Sequence, residues 1–426
     1  MYMRVRITKL LLILFILGSI LLFKGDLFVD MGAAEGIAEA EGLANDLPTV
    51  KMYLPVIMKN FIHERPLWRF GAAKALNSIS AYDLNDMKQL RLGWYVNWGV
   101  FGWDEPYGIE YVPMVRVKQW KDDGDGNPVA CCVDCAYLEP HAYTTTPSLA
   151  EMATLAAAHP GKLWLLGNEI ERVDWASSGG GCAHQDEILP EVYATAYHDL
   201  YSAIKAADPT AQVAIGGVIQ ATPLRLEYLT RMWDAYQTQY GEDMPVDVWN
   251  VHGFVLQEVA GSWGADIPAG IAQTEGMLYT PVESKDFTIV QGHLIDMREW
   301  MADRGQQDKP LIITEYGVLM PEWIDPEELT YEDVRDDFML PSFEFFLNYT
   351  DASIGYPADG NRLVQRWNWY SLDDDHGWYE EGVFYQGFNG NLFYSGKNDQ
   401  PLGLTDLGQY WIDYIDPLPE GSEPPY

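Results

Sequence analysis

Basic residues are scarce in this chain: 27 Lys and Arg face 63 Asp and Glu, for a formal net charge of −36. A surface so one-sided in sign repels phosphate backbones and anionic lipid, which argues against nucleic acid and acidic membranes as partners. Acidic polysaccharides are disfavoured on the same ground, and neutral glycans remain the compatible polymer class. Cysteine is nearly absent too, with four in 426 residues. No glycine-rich phosphate loop follows a strand, and Gly179 to Gly181 lack the Lys-Ser/Thr that would complete a phosphate cradle, so no cofactor is expected. A metal is not expected either. Long apolar runs are also missing: the stretch 10–23 falls short of the ~20 residues of a membrane-spanning helix.

What is present begins with that short run. It follows Arg4, Arg6 and Lys9, the layout of a signal peptide or an uncleaved membrane anchor over residues 1–24. Either reading makes the protein secreted or extracellular. In an oxidising compartment Cys131, Cys132, Cys135 and Cys182 become disulfide candidates, with three pairings open. A zinc site that adds His141 or His184 is the rival reading. Residues 25–64 form a spacer rich in Ala, Gly and Glu with a short strand at 50–58. Residues 416–426 are an acidic, proline-rich tail.

Between these flanks, residues 65–415 alternate short apolar runs with helical stretches. Candidate strands lie at 68–72, 92–97, 110–115, 162–167, 212–217, 246–251, 310–314 and 363–369. Eight such runs separated by helices predict a parallel sheet closed as a (β/α)8 TIM barrel, an α/β fold with one catalytic domain. Tyr193, Tyr197, Leu200 and Ile204 form a helical stripe, and Val290, Leu294, Met297 and Met301 repeat it. Leu404, Leu407 and Trp411 mark a closing helix. Long connections at 117–146, 255–287, 318–332 and 371–402 all follow strands, so they sit at the C-terminal face, where this architecture builds its sites.

Two strand ends carry the chemistry. The run 162–167 leads into Asn168-Glu169, and Leu311-Ile-Ile-Thr leads into Glu315. Acid-assisted cleavage of an acetal needs one carboxylic acid to protonate the leaving oxygen and one carboxylate to attack or to activate water. The fourth and seventh strands of a closed barrel can deliver both to one mouth. His252 and Tyr316, at strand ends, are candidate donors to Glu315 or to substrate. Asn97 is a candidate sugar contact. Trp98 and Trp369 are candidate platforms, because an indole face stacks on a pyranose ring; Trp103, Trp175 and Trp378 lie in loops that could do the same. Asp123-Gly-Asp125-Gly-Asn127 with Asp134 departs from a calcium loop at its sixth and twelfth positions and reads as a solvated acidic turn.

Taken together, Trp94-Tyr-Val-Asn-Trp98, Tyr111-Val-Pro-Met114, Leu165-Leu-Gly-Asn-Glu169, Asp247 through His252, Ile313-Thr-Glu-Tyr-Gly317 and Trp369-Tyr-Ser371 resemble a retaining glycoside hydrolase of clan A. The chain most resembles the β-1,3-glucanases of glycoside hydrolase family 128, similar to the alkali-sensitive-linkage protein. That resemblance implies Glu169 as acid/base, Glu315 as nucleophile and Asn168 as a contact to the sugar 2-hydroxyl. It implies a monomeric glycosidase acting on a neutral β-linked glycan, with β-1,3-glucan the first expectation. A transglycosylase using the same residues, or a non-catalytic glycan-binding barrel at the cell surface, are the alternatives. The chain departs from the family pattern at Ile170, where Pro is usual, and at Arg116, where an apolar or aromatic residue is common.

Overall fold

The computed structural model describes residues 67–133, 135–173, 185–397 and 401–419, with the backbone only at Trp378 and at residues 20–23 and 26–29. The strand Ile20–Phe23 pairs antiparallel with Asp26–Val29 and belongs to a separate unit from Glu64–Tyr426. Most of the leader and all of the rest of the spacer, the strand expected at 50–58, Trp175, Cys182, His184 and the end of the tail lie outside the described residues. Among the described residues no helix is long and apolar enough to cross a membrane.

Eight parallel strands make a closed circuit. They are β1 (Leu67–Ala72), β2 (Leu92–Tyr95), β3 (in two pieces, Glu110–Tyr111 and Met114–Gln119), β4 (Leu163–Asn168), β5 (Gln212–Gly217), β6 (Trp249–Gly253), β7 (Leu311–Tyr316) and β8 (Arg366–Trp369). Each pairs in parallel with the next from β1 to β5 and from β6 to β8, and β8 pairs with β1. Bridges Ala214–Val248 and Val218–Val251 join β5 to β6 and complete the ring. The break in β3 falls at Val112-Pro113, as proline carries no N–H for the ladder; the Pro113 carbonyl still accepts from Leu165.

Alternation along these strands separates two cores. Trp94, Val96, Val112, Met114, Leu163, Leu165, Ala214, Val248 and Ile312 fill the barrel interior. Their neighbours, such as Trp164, Leu166, Val213, Ile313 and Trp367, face the surrounding helices. Those helices are α1 (Leu84–Leu90), α2 (Leu149–Ala158), α3 (Pro190–Ala207), α4 (Pro223–Tyr240), α5 (Phe287–Asp303), α6 (Leu340–Asn348) and α7 (Asp406–Ile415). The expected stripes on α3 and α5 are all buried. Proline opens α3 and α4, where its missing N–H costs nothing and its fixed φ suits a first turn.

The eightfold repeat has one gap. Residues 96–109, between β2 and β3, hold a single 3-10 turn at Pro106–Gly108 in place of a helix. Gly99, Gly102, Pro106 and Gly108 make this segment a poor helix former. Trp103 fills the gap from outside, stacking on His159 at 3.7 Å and meeting Trp164 edge-on at 5.7 Å. Its expected place in the mouth is thereby corrected: it substitutes for a helix. The long connection after β3 folds onto Tyr143–Thr146, and the one after β8 contains the hairpin Gly377–Glu380 with Val383–Gln386.

Candidate active site

Glu169 reaches the mouth by simple alternation. Leu163 and Leu165 point into the barrel, and two steps further along the same face the chain ends in Glu169. Its φ of 45° lies in the left-handed region, which costs roughly 1–3 kcal/mol for a residue with a side chain. Asp186 holds this turn by accepting the Asn168 N–H at 2.8 Å and donating its own to the Asn168 carbonyl at 3.0 Å. Asp186 also accepts from Val117 N–H at 3.0 Å and pairs with Arg116 at 2.6 Å, so β3 and β4 are tied together at their ends.

Glu315 needs a defect to get there. Ile312 points inward, so strict alternation would send Glu315 out toward the helices. The pairing of β6 with β7 instead skips Thr314: Val251 lies opposite Ile313, and His252 opposite Glu315. Such a bulge re-aims the side chain after it. Thr314 stays inside, donating to Asn250 Oδ1 at 2.9 Å, and Glu315 turns inward beside it.

His252 stands between the two carboxylates, 1% exposed. Its Nδ1 lies 3.7 Å from Glu169 Oε1 and its Nε2 3.8 Å from Glu315 Oε1. One donor atom from each of the three residues lies within 4.8 Å of the others. Gly217 makes room for the imidazole, since a Cβ there would fall 2.5 Å from His252 Cδ2. Trp98, continuing the inward face of Trp94 and Val96, donates its indole N–H to Glu315 Oε1 at 2.6 Å.

The two carboxyls sit in unequal surroundings. Burial acts to raise Glu169, but the Arg172 charge outweighs it, helped by His252 and Gln185, and holds this carboxyl well below the usual range. The geometry matches: Arg172 donates to both Glu169 oxygens at 3.3 and 3.0 Å, and Gln185 donates to Oε2 at 2.8 Å. Glu315 is pushed up to about 7, first by burial and then by the Glu169 charge, against the pull of His252 and Trp98. His252 is raised in spite of its burial, because both glutamates favour the imidazolium. In the free protein Glu169 is therefore the anion and Glu315 the group that more readily holds a proton.

Four residues anticipated from the sequence meet here: Glu169, Glu315, His252 and Trp98. Asn168 is buried next to them, with its backbone pinned by Asp186. Asn97 braces the β2 loop, donating to the Phe101 carbonyl and accepting from the Tyr111 hydroxyl, each at 3.0 Å. Tyr316 and Trp369 are corrections. Both are fully buried behind the sheet, 5.1 Å apart between ring centres and packed on Phe338. The bulge that brings Glu315 in sends Tyr316 out, and Trp369 shares the outward face of Trp367.

Several site residues escaped the sequence reading. Arg172, Gln185 and Asp186 are described above. Tyr370, one step past Trp369 and so on the inward side, meets Trp98 and Phe254 at 5.8 and 5.9 Å. Its hydroxyl donates to Asp374, which also meets His376. Among the cysteines, Cys132 pairs with Cys135 and Cys131 is disulfide-bonded as well, which leaves none of these thiols for zinc. In the acidic turn, Asp123 accepts from the N–H groups of Asp125 and Asn127; Asp134 is not among the described residues.

The Glu169, His252 and Glu315 side chains offer the donor types of a divalent-cation site. Arg172 and Trp98 already take oxygens of both carboxylates, and a guanidinium at 3.0 Å would repel a second cation. The residues present therefore fit acid–base chemistry better than metal ligation.

No protein-family model matches the chain, and no curated protein does. Among solved structures it is similar to the family 128 (subgroup II) endo-β-1,3-glucanase of Pseudomonas viridiflava, at 16% identity and TM-score 0.47, covering 82% of this chain and 98% of that one. It is also similar to the subgroup II endo-β-1,3-glucanase of Sorangium cellulosum, at 16% identity and TM-score 0.44, covering 81% and 97%. A monomeric β-xylosidase of Caulobacter crescentus is a further likeness, at 13% identity and TM-score 0.46, covering 83% and 69%.

Proposed function

We propose that this protein is a retaining glycoside hydrolase that cleaves a neutral β-linked glycan, with β-1,3-glucan as the first candidate. The observation that carries the reading is the meeting of two carboxylates, from β4 and β7, with oxygens within 4.8 Å of each other beside one buried imidazole. Carboxyls ~5–5.5 Å apart suit direct attack on the sugar, whereas inversion leaves ~6.5–9.5 Å for a water.

In this mechanism Glu315 attacks the anomeric carbon while Glu169 protonates the departing oxygen. A glycosyl–Glu315 ester forms and the aglycone leaves. Glu169 then takes a proton from water, which displaces Glu315 and restores both groups. Trp98 steadies the attacking carboxylate, and His252 offsets the charge of whichever glutamate is ionised. Arg172 opposes the first step, because an ion-paired Glu169 has no proton to give. Sugar entry resolves the conflict in this scheme: the glycan's hydroxyls draw Arg172 off, and the proton that Glu315 holds in the free protein passes to the buried, unpaired Glu169, which leaves Glu315 as the attacking anion.

The test is direct. Glu169→Gln and Glu315→Gln should each lower hydrolysis of the responding polymer in a panel of β-glucans, mannans, xylans and galactans by at least a thousandfold, with thermal unfolding unchanged. Turnover by either variant at the native rate would contradict the assignment. Transfer to a second sugar in place of water uses the same residues and shows as longer products at high substrate concentration. The Arg172 pairing favours one further reading, a barrel that binds glycan without cleaving it; on the same panel that reading predicts binding with no released sugar.

A further inference from the structure

A concave surface lies on the same face of the barrel as the two glutamates, between the connections after β7 and β8. It has a volume of about 390 Å³ and is lined by Glu322, Trp323, Phe384, Gln386, Phe388 and Asn389 among others. This falls in the ~300–1,000 Å³ range of small-ligand sites. Two features separate it from ordinary exposed apolar surface.

The first is the state of Trp323. The residue is 44% exposed, yet its ring is fixed in orientation. The indole N–H donates to the Gln386 carbonyl at 2.8 Å, and Tyr385 meets the ring edge-on at 5.8 Å. An exposed indole locked in place offers a stacking face at little entropic cost, and the carboxylate and amides around it suit hydroxyls. This is the chemistry of a pyranose site.

The second is continuity with the catalytic pair. Phe388, in the wall of the cavity, meets Tyr370 at 5.9 Å. Tyr370 meets Trp98 at 5.8 Å, and Trp98 is hydrogen-bonded to Glu315. Aromatic contacts thus lead from Trp98, beside Glu315, to Phe388, which lines the same cavity as Trp323.

We propose that this cavity is a distal sugar subsite, in which Trp323 stacks on a ring several units along a neutral β-linked chain whose reacting bond lies over Glu169 and Glu315. The proposal rests on the hydrolytic reading of that pair, and it makes the protein selective for long chains.

Binding of β-1,3-gluco-oligosaccharides of two and six units to the full chain carrying Glu315→Gln tests it by calorimetry, with no turnover to interfere. Adding Trp323→Ala should weaken the six-unit ligand at least tenfold while changing the two-unit ligand less than twofold. Trp323→Phe, which keeps a stacking ring, should restore most of the loss. Equal weakening of both ligands, an unchanged six-unit affinity, or failure of the six-unit chain to bind with Trp323 intact would each overturn the subsite. Length-dependent loss in a protein whose native form releases no sugar would instead keep the subsite and remove the hydrolytic reading.

Discussion

At the scale of single residues, the distinctive feature is the pairing of Arg172 with Glu169. The proposed mechanism makes Glu169 the acid; its neighbours make it an anion. The groups facing it are Arg172 from the loop after β4, His252 from β6, Glu315 from β7 and Tyr370 from β8, with Glu171 close by and Arg116 on β3 acting on Glu315. A cation beside a carboxylate lowers its pKa, so removing it raises that pKa. Arg172→Met should therefore raise kcat/KM near neutral pH at least tenfold and move its acid limb upward, because more of the free Glu169 carries its proton while Glu315, the group with the higher pKa, still sets the alkaline limb. Arg172→Lys should have the smaller effect. An acid-limb shift with no rise in the plateau would make Glu169 the nucleophile, and a fall in rate with both limbs in place would make Arg172 only structural. An arginine three positions after a strand-end glutamate was visible in the sequence. Gln185 was not, since sixteen residues separate it from the oxygen it meets.

At the scale of elements, period-2 alternation explains both the successes and the errors of the sequence reading. Leu163, Leu165 and Glu169 share a face, as do Trp94, Val96 and Trp98, so these side chains arrive where the count puts them. Trp367 and Trp369 share the opposite face, and that count would have excluded Trp369 from the mouth and nominated Tyr370. Glu315 obeys no such rule, because the bulge at Thr314 is a matter of pairing with β6 and leaves no mark in composition. The gap between β2 and β3 was legible in its glycines and proline. The closing helix α7 shows how the circuit is sealed: Trp411 is fully buried, donates to the Leu90 carbonyl at 3.0 Å and packs on Phe70 and Phe343 at 5.7 and 5.0 Å. Trp411→Ala opens a cavity and strands that carbonyl, at a cost of about 3–5 kcal/mol. Denaturant unfolding should show it as a lower midpoint with little change in slope; a loss below ~1 kcal/mol would mean that α7 is peripheral to the barrel.

At the scale of the whole molecule, the charge and the barrel point to the same class of ligand. A net charge of −36 keeps polyanions away, while a buried, aromatic-lined mouth suits a neutral chain of rings. In the proposed mechanism the closed sheet supplies what neither glutamate has by itself, a fixed partner across the reacting bond. The proposed chemistry passes through a covalent sugar–enzyme ester, and trapping that ester is the most direct measurement of it. Incubation with a 2-deoxy-2-fluoro-β-glucoside bearing a good leaving group should add one fluorosugar mass to the intact protein, and peptide mapping should place it on Glu315. An adduct on Glu169 would exchange the roles of the pair. Continued turnover of β-glucan with no adduct on either glutamate would contradict the account.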